Sequence, residues 1–280
     1  MRAKMQSNGH VDSLWSERYG EAAARPVLPD WNPVLTQLLQ HRSVRSYADR
    51  ALPDGVLPLL VAAAQSASSS SNLQVWSVIA VEDAARKARL AALAGNQSHV
   101  RKAPLFLAWL ADLARLHLLA QEQQRDAVAF DYLEMLLLGV IDAALAAQNA
   151  VVALESLGLC TVYIGGLRNK PEEVAAELGL PPGVFAVFGM CVGYEDPARP
   201  AAVKPRLPQE AVLHREQYSL DSQIPAVGDY DRAMAGFYAS QGLPQPDWSS
   251  HSVARVSSAE SLHGRDRLAA ALRQLGFRLK

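Results

Sequence analysis

The alternation of apolar and polar positions divides most of the chain into recognisable elements. Leu35, Leu38 and Leu39 recur at helical spacing behind Pro33, whose missing N–H costs nothing in a first turn, so a helix is expected over 34–40. A second runs from Pro53-Asp54 to about Ser68, with Leu57, Leu60, Val61 and Ala64 as its buried stripe. It gives out at the serine run, where hydroxyls compete for backbone hydrogen bonds and favour caps and turns. Residues 75–81 alternate and are rich in β-branched side chains, which reads as a strand. A helix follows over 84–93 with Gly95 as its stop. Residues 103–111 are almost wholly apolar, the pattern of a strand covered on both faces.

The longest periodic element spans about 127–157 and is apolar nearly all round, through Leu136, Leu137, Val140, Ile141, Ala144, Leu145, Ala147 and Val151. Such a helix is buried, in a large core or at a subunit interface. Gly158 ends it. A strand at 160–164, a helix at 171–178 and a strand at 184–194 follow, with Gly189 and Gly193 as points of close approach. Residues 197–209 form a proline-rich excursion, and helices near 230–240 and 262–275 close the chain. Residues 1–31 read as an N-terminal arm with a short helix around 14–19 and Pro26 and Pro29 near its end, ahead of one domain over 32–280. Alternating strands and helices indicate α/β, whereas the helix-heavy ends fit α+β better; strand order stays open.

Composition narrows the class. With 280 residues, 50% of them hydrophobic, the chain can bury a substantial core. A formal net charge of −1 argues against a nucleic-acid binder, which would carry a basic stripe. Cys160 and Cys191 sit in apolar runs, and no Cys or His falls at metal-ligand spacing, so no metal site is expected and reduced thiols in a cytoplasm are. No signal-peptide pattern is present, and the apolar run 135–141, bounded by Glu134 and Asp142, is far short of the ~20 residues of a membrane span.

The chemistry-bearing residues come in local sets. His41-Arg42-Ser43-Val44-Arg45 supplies two guanidinium groups, an imidazole and a hydroxyl, and Lys204 and Arg206 add two more cations. Guanidinium forks suit phosphate oxygens. Ser69, Ser70, Ser71, Gln74 and Gln97 offer hydroxyls and amides suited to a polyol or a polar ring edge, and Gly165-Gly166 admits a close backbone approach. P-loop, GxGxxG, GxSxG and HExxH motifs are absent, leaving hydrolytic nucleophile chemistry without a visible carrier. Phosphate, polyol and ring together describe a flavin mononucleotide. Each set also has a plain reading: the serines as a helix terminus, Gln97 as a surface loop, Lys204 and Arg206 as a solvated charge pair.

The order and wording of the motifs resemble the nitroreductase family, and more narrowly its larger oxygen-insensitive nitroreductases and flavin reductases. They are His-Arg-Ser-Val-Arg, Ser-Ser-Ser-Ser-x-Leu-Gln, Gly-x-Gln-x-His-Val, Leu-Leu-Leu-Gly-Val-x-Asp, Val-Tyr-Ile-Gly-Gly-Leu-Arg-Asn and Lys-Pro-Arg-Leu-Pro. The likeness runs from Asn32 onward and is strong through Pro208. It implies an intertwined homodimer of α+β subunits, each with a central, mainly antiparallel sheet flanked by helices, and FMN at the interface. It also implies His41, Arg42, Ser43, Arg45, Lys204 and Arg206 at the phosphate end, and Ser69, Ser70, Ser71, Gln74 and Gln97 along the ribityl chain and ring. Ile164, Gly165 and Gly166 would lie near the ring's N5 edge and Glu134 near the mouth. The implied activity is ping-pong, two-electron reduction of nitroaromatics, quinones or flavins by NADH or NADPH, with no catalytic protein side chain.

Two departures stand out. Asn72 occupies a place where relatives carry a bulky aromatic, and Gln241–Asp247 holds no arginine pair ahead of Trp248 for a 2′-phosphate, while Asp247 would repel one. NADH therefore enters as a donor beside NADPH. A reductase specialised for another acceptor such as a metal ion, and a flavin-binding relative with little turnover, are the alternatives.

Overall fold

The computed structural model describes residues 2–20, 31–243 and 247–280, so Pro26, Pro29 and residues 244–246 lie outside the described residues. The first elements in chain order are α1 (Arg2–Tyr19), α2 (Pro33–Gln40), α3 (Val56–Gln65), β1 (Trp76–Val81), α4 (Ala84–Leu93) and α5 (Ser98–Lys102). Then come β2 (Leu105–Asp112), α6 (Ala114–Glu122), α7 (Leu133–Ser156), β3 (Cys160–Ile164), α8 (Pro171–Leu178) and β4 (Val184–Gly193). The chain closes with α9 (Gln223–Ser240), α10 (Trp248–Arg255) and α11 (Leu268–Gln274). They pack as two compact units, Met1–Arg42 with Ala202–Ser261, and Ser43–Ala201 with Leu262–Lys280.

The second unit is built on a four-stranded sheet in the order β1-β2-β4-β3, antiparallel at every pairing. The α+β expectation holds. β2 is buried on both faces, as its apolar run implies. Leu105, Leu107 and Trp109 pack with Leu60 and Ala64 of α3 and Ala146, Ala150 and Leu154 of α7. On the other face Phe106, Ala108 and Leu110 pack with Leu90 of α4, Ala94 just after it, Val100 of α5 and Val174 of α8. Leu272 and Phe277 bring the C-terminal segment into a third cluster with Ala111, Leu113, Met135 and Phe185.

Several boundaries differ from the sequence reading. Gly55 adopts φ 78° as the N-cap of α3, so that helix starts after Pro53-Asp54, and it ends at Gln65. α7 begins at Leu133, preceded by a single 3-10 turn at Val128–Asp131. Its start depends on the far end of the chain: the Leu133 N–H donates to the Lys280 carbonyl at 3.2 Å, and Lys280 N–H to the Asp131 carbonyl at 2.8 Å. The short α5, α6 and α10 carry little apolar period and escaped notice. The seven-residue run at 135–141 understates α7, which is long and apolar enough to cross a membrane by length and composition; half of its apolar window is buried within the fold.

In the first unit, α1 is far longer than the short helix expected at 14–19. Its described side chains Val11, Leu14, Trp15 and Arg18 are buried at helical spacing. α2 starts as expected: Asn32 Oδ1 accepts from the Leu35 N–H at 3.1 Å and Pro33 takes the first turn.

Both expected close approaches occur on β4. A Cβ added at Gly189 would lie 2.3 Å from Phe106 Cζ, and one at Gly193 would lie 2.7 Å from Tyr47 Cδ1. Phe106 is fully buried and cannot step aside. Gly189→Ala should therefore destabilise the fold by about 1–3 kcal/mol, the usual cost of overpacking, read as a lower urea midpoint at unchanged slope.

Candidate functional site

The division between the two units falls inside the basic cluster, between Arg42 and Ser43, so the sequence-predicted residues form two groups. In the second unit, Val44 is fully buried and its N–H donates to the Thr161 carbonyl of β3 at 3.0 Å. In extended chain the neighbours of a buried residue face the other way, and Ser43 and Arg45 are exposed. Arg45 acts electrostatically on His99: burial first, then the Arg45 charge, holds that imidazole below its ordinary pKa. His99 Nε2 is buried without a hydrogen-bond partner.

The serine run forms a strained loop between α3 and β1. Ser71, Asn72 and Gln74 all take left-handed backbone, at φ 50°, 54° and 51°, which non-glycine residues adopt only when their surroundings impose it. What imposes it is Asp142, on the buried face of α7 and 1% exposed. Its Oδ2 accepts from Ser69 Oγ at 2.7 Å and from the Val75 N–H at 3.3 Å, and its Oδ1 accepts from the Ser70 N–H at 3.2 Å. Ser69 Oγ in turn accepts from the Gln74 N–H at 2.8 Å. Arg115 holds the loop's far end, donating to the Gln74 carbonyl at 2.7 Å and to Ser77 Oγ at 3.0 Å. Ser69 is thus occupied with the fold, while Ser70, Ser71, Asn72 and Gln74 are exposed. Asn72 Oδ1 accepts from Gln74 Nε2 at 3.3 Å, so the residue that departs from the family pattern is coupled to a predicted ligand residue.

The glycine pair follows β3, where Ile164 is buried. A Cβ on Gly166 would sit 2.3 Å from the Ala94 carbonyl oxygen and 3.0 Å from Gln97 Nε2, so the close approach is to the 94–97 loop. Gln97 itself donates from Nε2 to that carbonyl at 2.9 Å. Sequence reasoning placed Gln97 and Gly166 in one site, and they touch. The turn is pinned from behind by Arg168, whose guanidinium donates to the carbonyl of Val187. Val187 is the residue skipped where the β2–β4 register shifts, and a bulge leaves its polar groups in need of a partner. Glu134 stands exposed in the first turn of α7, eight residues and so about 12 Å along the helix from Asp142.

In the first unit, the segments bearing His41-Arg42 and Lys204-Arg206 are brought together. Arg18 of α1, 5% exposed, donates to the carbonyls of Leu39 and His41 and to that of Lys204. The Lys204 ammonium lies 5.8 Å from the Phe237 ring centre and 5.7 Å from that of Tyr238. Arg206 is exposed, donates to the carbonyls of Lys204 and Pro205, and lines a hollow of about 420 Å³ with Tyr19, Tyr230 and Trp248. Asp247 caps α10: the Ser250 N–H donates to it at 2.7 Å and holds its carboxyl below the usual carboxylate range.

Arg18 and Asp142 are the two residues sequence reasoning missed. A carboxylate inside an apolar helix face was the available signal for Asp142; there it was read only as a boundary. Asp142→Asn cannot reproduce its bonds, because either amide orientation sets an NH2 group against a backbone N–H. It should cost about 2 kcal/mol and speed amide exchange at Ser70 and Val75, measured by denaturant melts and hydrogen exchange.

Residues 38–194 match the nitroreductase family and residues 204–280 its C-terminal domain. The chain is 42% identical to an oxygen-insensitive NADPH nitroreductase of Salmonella typhimurium, over 79% of its own length and 89% of that protein's. It is 39% identical to an FMN reductase (NADPH) of Bacillus subtilis, over 78% of its length and 89% of the relative's. Among solved structures, the NADPH:FMN oxidoreductase of Vibrio harveyi complexed with NAD+ superposes with a TM-score of 0.79 at 33% identity, covering 89% of this chain and 100% of that one. The chain belongs to the nitroreductase family.

Proposed function

We propose that the protein is an FMN-dependent NAD(P)H oxidoreductase reducing nitroaromatics, quinones or flavins by two electrons. The observation that carries this reading is the serine loop, whose buried carboxylate anchor leaves Ser70, and Ser71 and Gln74 on left-handed backbone, exposed. FMN suits the donor set. In the first unit His41, Arg42, Lys204 and Arg206 supply charge and donors suited to a phosphate; in the second, Ser43 and Arg45 do, and the orphaned Nε2 of His99 lies within the field of Arg45. Ser69 orders the loop, Ser70, Ser71 and Gln74 serve the ribityl chain and ring, and Gln97 with Ile164, Gly165 and Gly166 forms a wall against the ring.

FMN, when bound, supplies the redox chemistry, and the protein's part is to bind and orient the reactants. No side chain is needed as nucleophile. Glu134 and Asn72 face the incoming acceptor and limit its shape. The donor is NADH or NADPH. With no arginine in the described part of the stretch before Trp248, and Asp247 turned into a helix cap, that stretch neither grips nor strongly repels a 2′-phosphate. The two donors should differ by less than about tenfold in kcat/KM, or ~1.4 kcal/mol, in initial-rate assays.

The working unit is a homodimer. α7 turns Met135, Gly139, Asp142 and Ala146 inward, while Leu133, Leu137, Ile141 and Leu145 repeat every four residues on its other side, each 44–51% exposed. A continuous apolar stripe of this kind is what a second copy covers. Cys160 and Cys191, which form no disulfide, fit a reducing cytoplasm.

The purified protein should be yellow and should bleach when NADH or NADPH is added without oxygen. A chain that cannot be loaded with FMN sinks the reading; a yellow chain that neither donor bleaches is a flavin carrier with little turnover. Arg206→Ala should weaken FMN retention in a salt-sensitive way. Matched-donor assays on nitro compounds, quinones, free flavin and ferric or chromate salts decide the acceptor.

A further inference from the structure

α1 lies before residue 38, where the family match begins, yet its last full turn reaches the backbone of both cationic segments of the first unit. Arg18 Nη2 donates to the Leu39 carbonyl at 2.6 Å and to the His41 carbonyl at 3.0 Å. Its Nη1 donates to the Lys204 carbonyl at 3.0 Å, and its own carbonyl accepts from the Arg206 N–H at 2.8 Å. The helix is seated by Val11, Leu14 and Trp15, exposed at 1%, 3% and 8%. A buried guanidinium has five donors in a rigid plane, so it fixes the directions of the carbonyls it serves.

We propose that Arg18 is a positioning residue: it clamps the segments carrying His41-Arg42 and Lys204-Arg206 into one anion-binding arrangement, and α1 exists to deliver it. The proposal rests on the reading of these segments as the phosphate end of the FMN site. Bonds to backbone carbonyls, made through one buried side chain, tie the segments to each other through their main chains.

Linkage makes this testable on the unaltered protein. If a seated α1 favours FMN, then FMN must favour a seated α1 by the same factor. Hydrogen exchange on the full chain, with and without saturating FMN, should show the amides of residues 11–20 and of Arg206 slowed roughly tenfold by the ligand. Arg18→Gln should raise the FMN dissociation constant by roughly tenfold, with Arg18→Lys recovering part of it because the charge remains but the fork is lost. The donor KM of FMN-saturated Arg18→Gln should stay at the wild-type value, which a general loss of structure would not allow. If Arg18→Gln fails to fold, the exchange experiment decides alone. FMN bound with α1 exchange unchanged, or Arg18→Gln holding FMN within twofold of wild type, overturns the clamp and leaves the flavin reading intact. A wild-type chain that takes up no FMN overturns both.

Discussion

A single buried carboxylate sets the geometry of the serine loop in the second unit. Asp142 is seated in the core face of α7 and accepts from one side-chain hydroxyl and two backbone N–H groups of the serine loop. Burying a carboxylate is costly unless its oxygens are satisfied. Here the satisfaction is supplied by a segment whose backbone is otherwise unfavourable, with left-handed Ser71, Asn72 and Gln74. The two costs offset each other: the charge needs donors pointing inward, and supplying them forces the intervening residues outward. Exposed hydroxyls and amides are the by-product, and they are what a polar ligand needs.

Arg18 repeats the device with opposite sign in the first unit. A buried cation accepts no bonds, so it must find carbonyls, and the ones it finds belong to the two basic segments. In both units a charged, buried side chain turned toward backbone holds a segment that carries several exposed polar or charged residues, among them Ser70, Ser71 and Gln74 in one and Arg206 in the other. Arg168 does the same on a smaller scale, serving the carbonyl at the β4 bulge and fixing the turn that holds Gly165 and Gly166. Neutral side chains could fill these places only by leaving several backbone groups unpaired.

This pattern explains what the sequence made legible. The strand at 160–164, the strand expected at 184–194 and found at 184–193, the helices at 84–93 and 171–178, and both glycine contacts on β4 follow from local periodicity and the absence of a Cβ. The candidate ligand residues stand out in the sequence because charge and hydroxyls cluster along the chain. Asp142 and Arg18 do not, because each acts at long range: Asp142 lies 73 residues from Ser69, and Arg18 lies 186 from Lys204. Nothing in a window of ten residues says which carbonyl a buried arginine will reach. The start of α7 fails for the same reason, since its first free N–H is satisfied by the last residue of the chain.

α7 joins these threads, because one rigid rod carries both the anchor and the apolar stripe. Ile141 is half exposed and Asp142, its neighbour, is fully buried. Adjacent helical residues point about 100° apart, so a contact made at Ile141 and Leu145 bears on the same turn that positions Asp142. A helix cannot shift one face without the other. Association through the stripe would therefore restrict the motion of the carboxylate and, through its three hydrogen bonds, of the loop it holds. The stripe and the anchor of the serine loop thus share one helix, and any partner that covered the first would bear on the second.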